Sequence, residues 1–273
     1  MSGTLFIVGT PIGNLGDLSP RAAQTLEQVD FIAAEDTRVT LKLLNHLGLK
    51  KPLVSYFEHN KRERGAEITA RILAGENCAL VTDAGMPAIS DPGEDLAALC
   101  HEVGIPMVAV PGPTAFTAAL ALSGLPTGRF CFEGFLSVSN KSRAAHLESV
   151  KEETRTLIFY EAPHKLARTL QDLYKTLGNR RLAIVREITK IHEEVIRTDL
   201  ESAAAAYAEG GLKGEIVLVI EGKQAGEENY TLADALTIAA DYVKSGMSIN
   251  EAAKLAAKET KIKKSDIYKK LTE

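Results

Sequence analysis

The sequence predicts an α/β protein with two sheet-bearing domains, a parallel sheet over residues 1–113 and a mixed sheet over 114–222, followed by a small helical domain over 230–273. Three observations predict it. Short β-rich runs alternate with amphipathic segments as far as about residue 113, the rhythm of a parallel sheet covered by helices on both faces. In the next hundred residues two strand-like runs stand only a few residues apart, too close for a parallel crossover, so that region must contain a hairpin. After a polar stretch from Gly222 to Asn229 the pattern is helical only.

Each element has a local reason. LFIV is followed by a helix that opens at Ser19-Pro20, a capping residue and then the residue whose fixed φ suits the first helical position. FIAAE precedes a helix in which Leu41, Leu44 and Leu47 are expected on one buried stripe, stopped by Gly48. LVSYF, a helix ending at Gly75, CALVTD, a helix ending at Gly104, and MVAV complete the first domain. FCFEGFL, TLIFYEA, RLAIVREIT, EEVIRT and EIVLVIEG are the strands of the second, with helices near Arg143–Lys151, His164–Leu177 and Leu200–Ala208; RLAIVREIT and EEVIRT form the hairpin. The tail reads as LADALTIAADYV, then Ile249–Glu259 begun near Ser248, then Ser265–Leu271. A Gly246-Met247-Ser248 turn gives it a helix-turn-helix character.

Composition narrows the function classes. Over 273 residues, 45% apolar and 25% charged content are those of an ordinary soluble protein. A net charge of -4 excludes a chain that coats nucleic acid over its whole surface. Charge is local, however: from Lys254 onward seven lysines face three acids, either a solvated helix face or a patch that contacts phosphate. Cys78, Cys100 and Cys131 lack metal-ligand spacing and read as buried, reduced thiols; no metal site is expected. Without a signal-like start or an apolar run of about 20 residues, the expected location is cytoplasmic.

In an open parallel sheet, ligands bind beyond the carboxyl ends of the strands. The loops there are GTPIGNLGD, EDTR, EHNKRERG, DAGMPAISDPG and PGPTA. The first carries three glycines, but neither the G-x-G-x-x-G of a dinucleotide fold nor the Lys-Ser/Thr of a P-loop. Pro11 and Pro113 remove N–H donors that a pyrophosphate would want, while Gly9, Gly13, Gly85, Gly93 and Gly112 allow close main-chain approach. Such loops suit a compact, largely uncharged nucleoside. Asp83 is placed to accept from a ribose or amino group, and Met86 and Ile89 to line an apolar slot.

GTPIGNLGDLSPRA, EDTR, DAGMPAISDPG, VPGPTA, FEGFL, YEAPHK, REITKIHEE and KGEIVLVIEG together resemble the tetrapyrrole methylase superfamily over about residues 4–222. EDTR, YEAPHK and REITKIHEE bring the chain nearest to the branch that methylates the ribose 2′-hydroxyl of a cytidine in small-subunit (16S) ribosomal RNA. This resemblance implies S-adenosyl-L-methionine bound in a cleft between two α/β domains, the first loop forming one wall. It implies cofactor contacts from Pro11, Asp83, Met86, Ile89, Pro113, Thr114, Tyr160, Lys213 and Gly214, a homodimer, and 16S rRNA in the small ribosomal subunit as partner. Two alternatives stay open: a precorrin-like tetrapyrrole C-methyltransferase, and a non-catalytic RNA-binding factor.

A ribose hydroxyl is a poor nucleophile at neutral pH, so a side chain should take its proton or stabilise the developing alkoxide. Glu35, Asp36 and Arg38 after the second strand, and Glu187, Lys190, His192 and Glu193 in REITKIHEE, are the candidates. Lys190, or Glu187 acting with it, is assigned the catalytic role, against the competing reading of a plain inter-strand ion pair. Arg38 is assigned to orient phosphate, and Arg62 and Arg64, with neighbouring His59 and Lys61, and His164 and Lys165 to contact the RNA backbone.

Overall fold

A computed structural model describes residues 2–224 and 230–272; the expected polar linker therefore lies, from residue 225 to 229, outside the described residues. The chain forms two compact units, Met1–Lys223 and Gln224–Glu273. In the first, strands β1 (Leu5–Val8), β2 (Phe31–Ala34), β3 (Leu53–Ser55), β4 (Cys78–Val81) and β5 (Met107–Val110) make a wholly parallel sheet in the order β3-β2-β4-β1-β5. Strand alternation divides the core in two. Leu5, Phe31, Ala33, Cys78 and Leu80 pack with α3 (Lys61–Leu73) and α4 (Gly93–Glu102) on one face. Val8, Ile32, Ala34, Ala79 and Val81 pack with α1 (Pro20–Gln28) and α2 (Thr37–His46) on the other. The buried stripe of α2 is Thr40, Leu43 and Leu44 rather than one through Leu41, which is exposed. Leu41 stands one residue, about 100°, beyond Thr40 and so faces away from the sheet.

A second sheet in the same unit has the order β6-β7-β10-β8-β9, from β6 (Phe130–Phe135), β7 (Thr156–Glu161), β8 (Arg181–Arg186), β9 (Glu194–Asp199) and β10 (Ile216–Ile220). It is mixed, β6 and β7 running parallel and the other neighbours antiparallel. Helix α5 (Ala115–Ser123) covers one face through Ala119 and Leu120, together with Ile12 of the first loop. Helices α6 (Asn140–Ser149), α7 (Leu166–Leu177) and α8 (Leu200–Ala206) cover the other. The β8–β9 hairpin is present, but β8 ends at Arg186, three residues before the expected end. Glu187 (φ 52°) and Thr189 (φ 67°) turn the chain into the left-handed region, where a ladder cannot continue. Cys78 and Cys100 are buried as expected, whereas Cys131 is only half-buried.

The second unit comprises α9 (Leu232–Lys244), α10 (Ile249–Thr260) and α11 (Lys264–Thr272), closed over Ala235, Ala239, Ala253, Ala256 and Ile267. Thr231 and Asp234 form a capping box on α9, and Ser248 caps α10. Acids here are engaged locally: Asp241 by Lys244, Glu251 by Ser248, Glu259 by Tyr242 and Asp266 by Ser265. Among the described residues no helix is long and apolar enough to cross a membrane.

Candidate active site

Strand β1 lies between β4 and β5, so the loops leaving these three strands emerge side by side. They are bonded to one another. Thr10 donates its N–H to Gly85 O at 2.9 Å and accepts from Gly85 N at 3.2 Å, while its hydroxyl donates to Thr82 O at 3.2 Å. Gly9 and Gly112 touch main chain to main chain: a Cβ on Gly9 would lie 2.6 Å from Gly112 Cα. The glycines at these two positions therefore serve loop-to-loop contact.

A cavity of about 390 Å³ opens beside these loops, within the range of small-molecule sites. Its wall combines Ile12, the β4 loop, the start of α5, the end of β7 and the start of β10. Tyr160 forms part of the apolar wall; its hydroxyl accepts the Phe116 N–H at 3.3 Å, and burial pushes its pKa up. Five acidic residues, Glu35, Asp83, Asp91, Glu161 and Glu215, are among those that line the cavity, and among the described lining residues there is no Lys, Arg or His. Burial, reinforced by the charge of Glu35, raises the Asp83 pKa; burial also raises that of Asp91. Asp83 accepts the Asp36 N–H at 3.0 Å, and Asp91 accepts from Ala88 and Gly93 N–H at 3.0 and 2.7 Å.

Of the residues expected to hold cofactor, Asp83, Met86, Ile89, Thr114 and Tyr160 come together on this wall. Pro113 lines an adjoining open hollow with Thr114 and Thr189. Pro11 lines neither space, although its neighbour Ile12 lines both. Lys213 and Gly214 lie just before cavity-lining Glu215. Gly214 (φ 90°) passes so close over Glu187 that a Cβ would stand 2.3 Å from its Oε1.

Glu187 and Lys190 are paired. Lys190 Nζ donates to Glu187 Oε1 at 3.0 Å and lies 3.2 Å from Glu215 Oε2, and Glu187 Oε1 also accepts the Glu215 N–H at 2.9 Å. That main-chain donor, then Lys190, lowers the Glu187 pKa. For Lys190 burial opposes the charge, but the carboxylates of Glu187 and Glu215 outweigh it and the pKa is raised. Both groups are thus held charged at neutral pH. The Lys190 stem crosses Gly13, where a Cβ would meet its Cγ at 2.6 Å. His192 and Glu193 are exposed, the Glu193 carboxylate accepting the Thr189 N–H at 2.6 Å.

Among the expected phosphate contacts, Arg38 is exposed and clamps Asp36, whose pKa it pulls down to about 2, and Asp36 in turn bonds Asp83. His164 and Lys165 occupy a turn directly after cavity-lining Pro163. Arg62 is exposed on α3, and Arg64, paired with Glu67, is two residues further along the same helix; neither lines the cavity. Sequence reasoning missed Asp91, Glu161 and Phe135. Asp91 offers a faint signal, an acid before Pro-Gly at a helix start, whereas an acid ending an apolar strand and an aromatic in FEGFL do not announce a cavity.

The model of the tetrapyrrole (corrin/porphyrin) methylases matches residues 4–204. The chain is similar to ribosomal RNA small subunit methyltransferase I of Synechocystis sp., 48% identical over 273 residues that cover 97% of this chain and 96% of that protein. The protein of the same name from Thermotoga maritima is 46% identical over 222 residues, 81% of this chain and 100% of that one. Among solved structures, uroporphyrin-III C-methyltransferase from Thermus thermophilus, complexed with S-adenosyl homocysteine, shares the fold. Its TM-score is 0.54 at 18% identity, over 80% of this chain and 97% of that one.

Proposed function

The chain belongs to the tetrapyrrole (corrin/porphyrin) methylase family, and on that premise we propose that it moves the methyl group of S-adenosyl-L-methionine to the ribose 2′-hydroxyl of a cytidine in 16S ribosomal RNA. The substrate is the small ribosomal subunit and the working form a homodimer. That the chain is a methyltransferase follows from its relatives; the acceptor rests on one observation, the segregation of charge. Five acidic residues line the cavity, while Lys190 is bonded to lining Glu215, His164 and Lys165 follow lining Pro163 in one turn, and Arg38 is linked to lining Asp83 through Asp36. An acid-lined space attracts a cationic sulfonium and repels a polyanion. A polycarboxylate macrocycle would meet that repulsion inside the cavity, whereas an RNA backbone meets only the bases outside it.

When bound, S-adenosyl-L-methionine supplies an electrophilic methyl group. Asp83, Met86, Ile89, Thr114 and Tyr160 would hold it, while Pro113 walls the adjoining hollow and Pro11, Lys213 and Gly214 would act through the lining residues they precede, Ile12 and Glu215. Lys190 is protonated at neutral pH and so cannot take a proton, and the Glu187 carboxylate, its pKa lowered by the Glu215 N–H and by Lys190, is a weak base. The Lys190 ammonium would instead stabilise the negative charge that develops on the ribose oxygen as the methyl–sulfur bond breaks and the hydroxyl proton passes to solvent, and Glu187 fixes the position of the ammonium. Arg38, Arg62, Arg64, His164 and Lys165 contact phosphate. Purified protein is incubated with labelled cofactor and small subunits from cells lacking the activity, and the modified nucleotide is mapped by mass spectrometry. Label on a ribose 2′-oxygen is expected; tight cofactor binding with label only on a tetrapyrrole, or nowhere, refutes the assignment.

A further inference from the structure

The ring of Phe135 is 57% exposed and yet lines the cavity. Its orientation is built in by a fault in strand pairing. Along β6 and β7, Phe132 pairs with Ile158, but Gly134 pairs with Phe159 and Phe135 with Tyr160, so Glu133 is an extra residue bulging from the ladder. Strict alternation would put Phe132 and Phe135 on opposite faces. The bulge returns Phe135 to the face of Phe132, and both rings contact Tyr160, at centroid distances of 5.4 and 4.9 Å. Gly134 takes φ 61°, and the displaced Glu133 carboxylate is bonded by His146 Nε2 at 2.9 Å. Phe116 stacks on Phe132 at 4.5 Å, so a row of aromatics leads from the interior to one open ring at the cavity mouth.

Resting on the reaction proposed above, we infer that Phe135 is the platform on which the base of the acceptor nucleotide stacks. The acceptor ribose must reach the cavity while its phosphates stay outside the acid-lined space, which leaves the base at the mouth. There Phe135 offers a π-face, and the backbone-contacting turn of His164 and Lys165 begins three residues beyond Tyr160, the strand partner of Phe135. Unstacked bases are held on exposed aromatics in this way by proteins that read single-stranded RNA.

Steady-state methylation of small subunits is measured for wild type, Phe135→Ala, Phe135→Leu and Phe135→Trp. S-adenosylhomocysteine affinity is measured by calorimetry, and oligomeric state by sedimentation. Phe135→Ala and Phe135→Leu should raise the KM for subunits about 5- to 100-fold with cofactor affinity unchanged, and Phe135→Trp should restore it. An unchanged KM, a parallel loss of cofactor affinity, or a change in oligomeric state in Phe135→Ala would each overturn the inference. The last two would make the ring a cofactor contact or an interface between copies. Failure of wild type to label RNA is seen before any variant is compared, so it identifies the reaction as the faulty premise and removes the inference with it.

Discussion

Replacing Gly9 with alanine asks whether the glycines of the first loop exist for contact between loops. The new methyl would stand 2.6 Å from Gly112 Cα, 2.7 Å from Gly112 N and 2.8 Å from Met86 Sδ. Carbon atoms rest at about 3.5–4.0 Å, so the two loops must part by about 1 Å. Rotation of a side chain cannot absorb this, because two of the three obstructing atoms are main chain. The Gly9 N–H is moreover tied to Val110 O at 3.0 Å, fixing β1 against β5. Overpacking of this kind costs about 1–3 kcal/mol. For a chain of this length that lowers the melting temperature by about 2–6 °C. The same shift displaces Thr114 and the β4 loop that wall the cavity, and a misplacement of about 1 Å lowers turnover by about 100-fold. Thermal melting, calorimetry with S-adenosylhomocysteine and single-turnover methylation read these effects. Gly128→Ala, whose Cβ would meet nothing within 4 Å, is the control. A Gly9→Ala protein that melts, binds and turns over like wild type would show that the close approach of the loops is not what requires glycine.

Lys190→Ala should lower single-turnover methylation by about 10²–10³-fold with little change in cofactor affinity, the scale for losing one preorganised group opposite a developing oxyanion; full turnover would leave the ion pair as a structural feature. Since the Lys190 pKa is raised and that of Glu187 lowered, this pair should contribute no ionisation to the pH–rate profile in the neutral range, and a neutral limb abolished by Glu187→Gln would contradict that. Asp83, whose pKa is raised, should lose its charge on acidification earlier than an ordinary carboxylate. Affinity for S-adenosyl-L-methionine should therefore weaken as pH falls toward that pKa, more than affinity for the uncharged-sulfur product, and Asp83→Asn should flatten the difference between them. Removing Arg38, Arg62 or Arg64 should each reduce the salt dependence of subunit binding by about 0.7–0.9 in log–log slope if that residue neutralises a phosphate, as calorimetry or filter binding across salt concentrations would show.

Much of the fold is legible because local chemistry and global packing agree. Ser19-Pro20, Gly48, Gly75 and Gly104 punctuate the first sheet where helices start and stop, and the five apolar runs between them became its five parallel strands. The Leu41 stripe misled because leucine is apolar wherever it stands, whereas the buried face of α2 includes Thr40, whose hydroxyl bonds Asp36 O within the helix and so tolerates burial. The end of β8 misled for a different reason. Glu187 and Thr189 are residues that rarely take positive φ, and nothing in their identity signals it. Their bonds hold them there: Glu187 accepts the Glu215 N–H and gives its own N–H to Glu215 O, and the Thr189 N–H donates to the Glu193 carboxylate. Asp91 and Glu161 escaped notice because one lies in the loop before α4 and the other ends β7 unremarkably, and the cavity they share is built from loops of one sheet and strand ends of the other.

The segments around residues 13, 190 and 214 look like separate motifs in the sequence, yet they form a single device. Gly214 has no Cβ because the Glu187 carboxylate occupies that space; Glu187 turns there to accept the Glu215 N–H and the Lys190 ammonium; and Lys190 reaches it by lying across Gly13. Each glycine is explained by the side chain above it. The ammonium is thereby held between the first loop, which belongs to the parallel sheet, and the start of β10, which belongs to the mixed one. A lone surface ion pair has no such requirement on three distant backbone positions, and its contribution to stability would be small. Strained left-handed residues concentrate where a site over-determines its geometry. Here the strain of Glu187 and Thr189 flanks the charge that this mechanism needs in a fixed place, so the energy spent on the turn is understood as positioning of Lys190 rather than as a by-product of closing a hairpin.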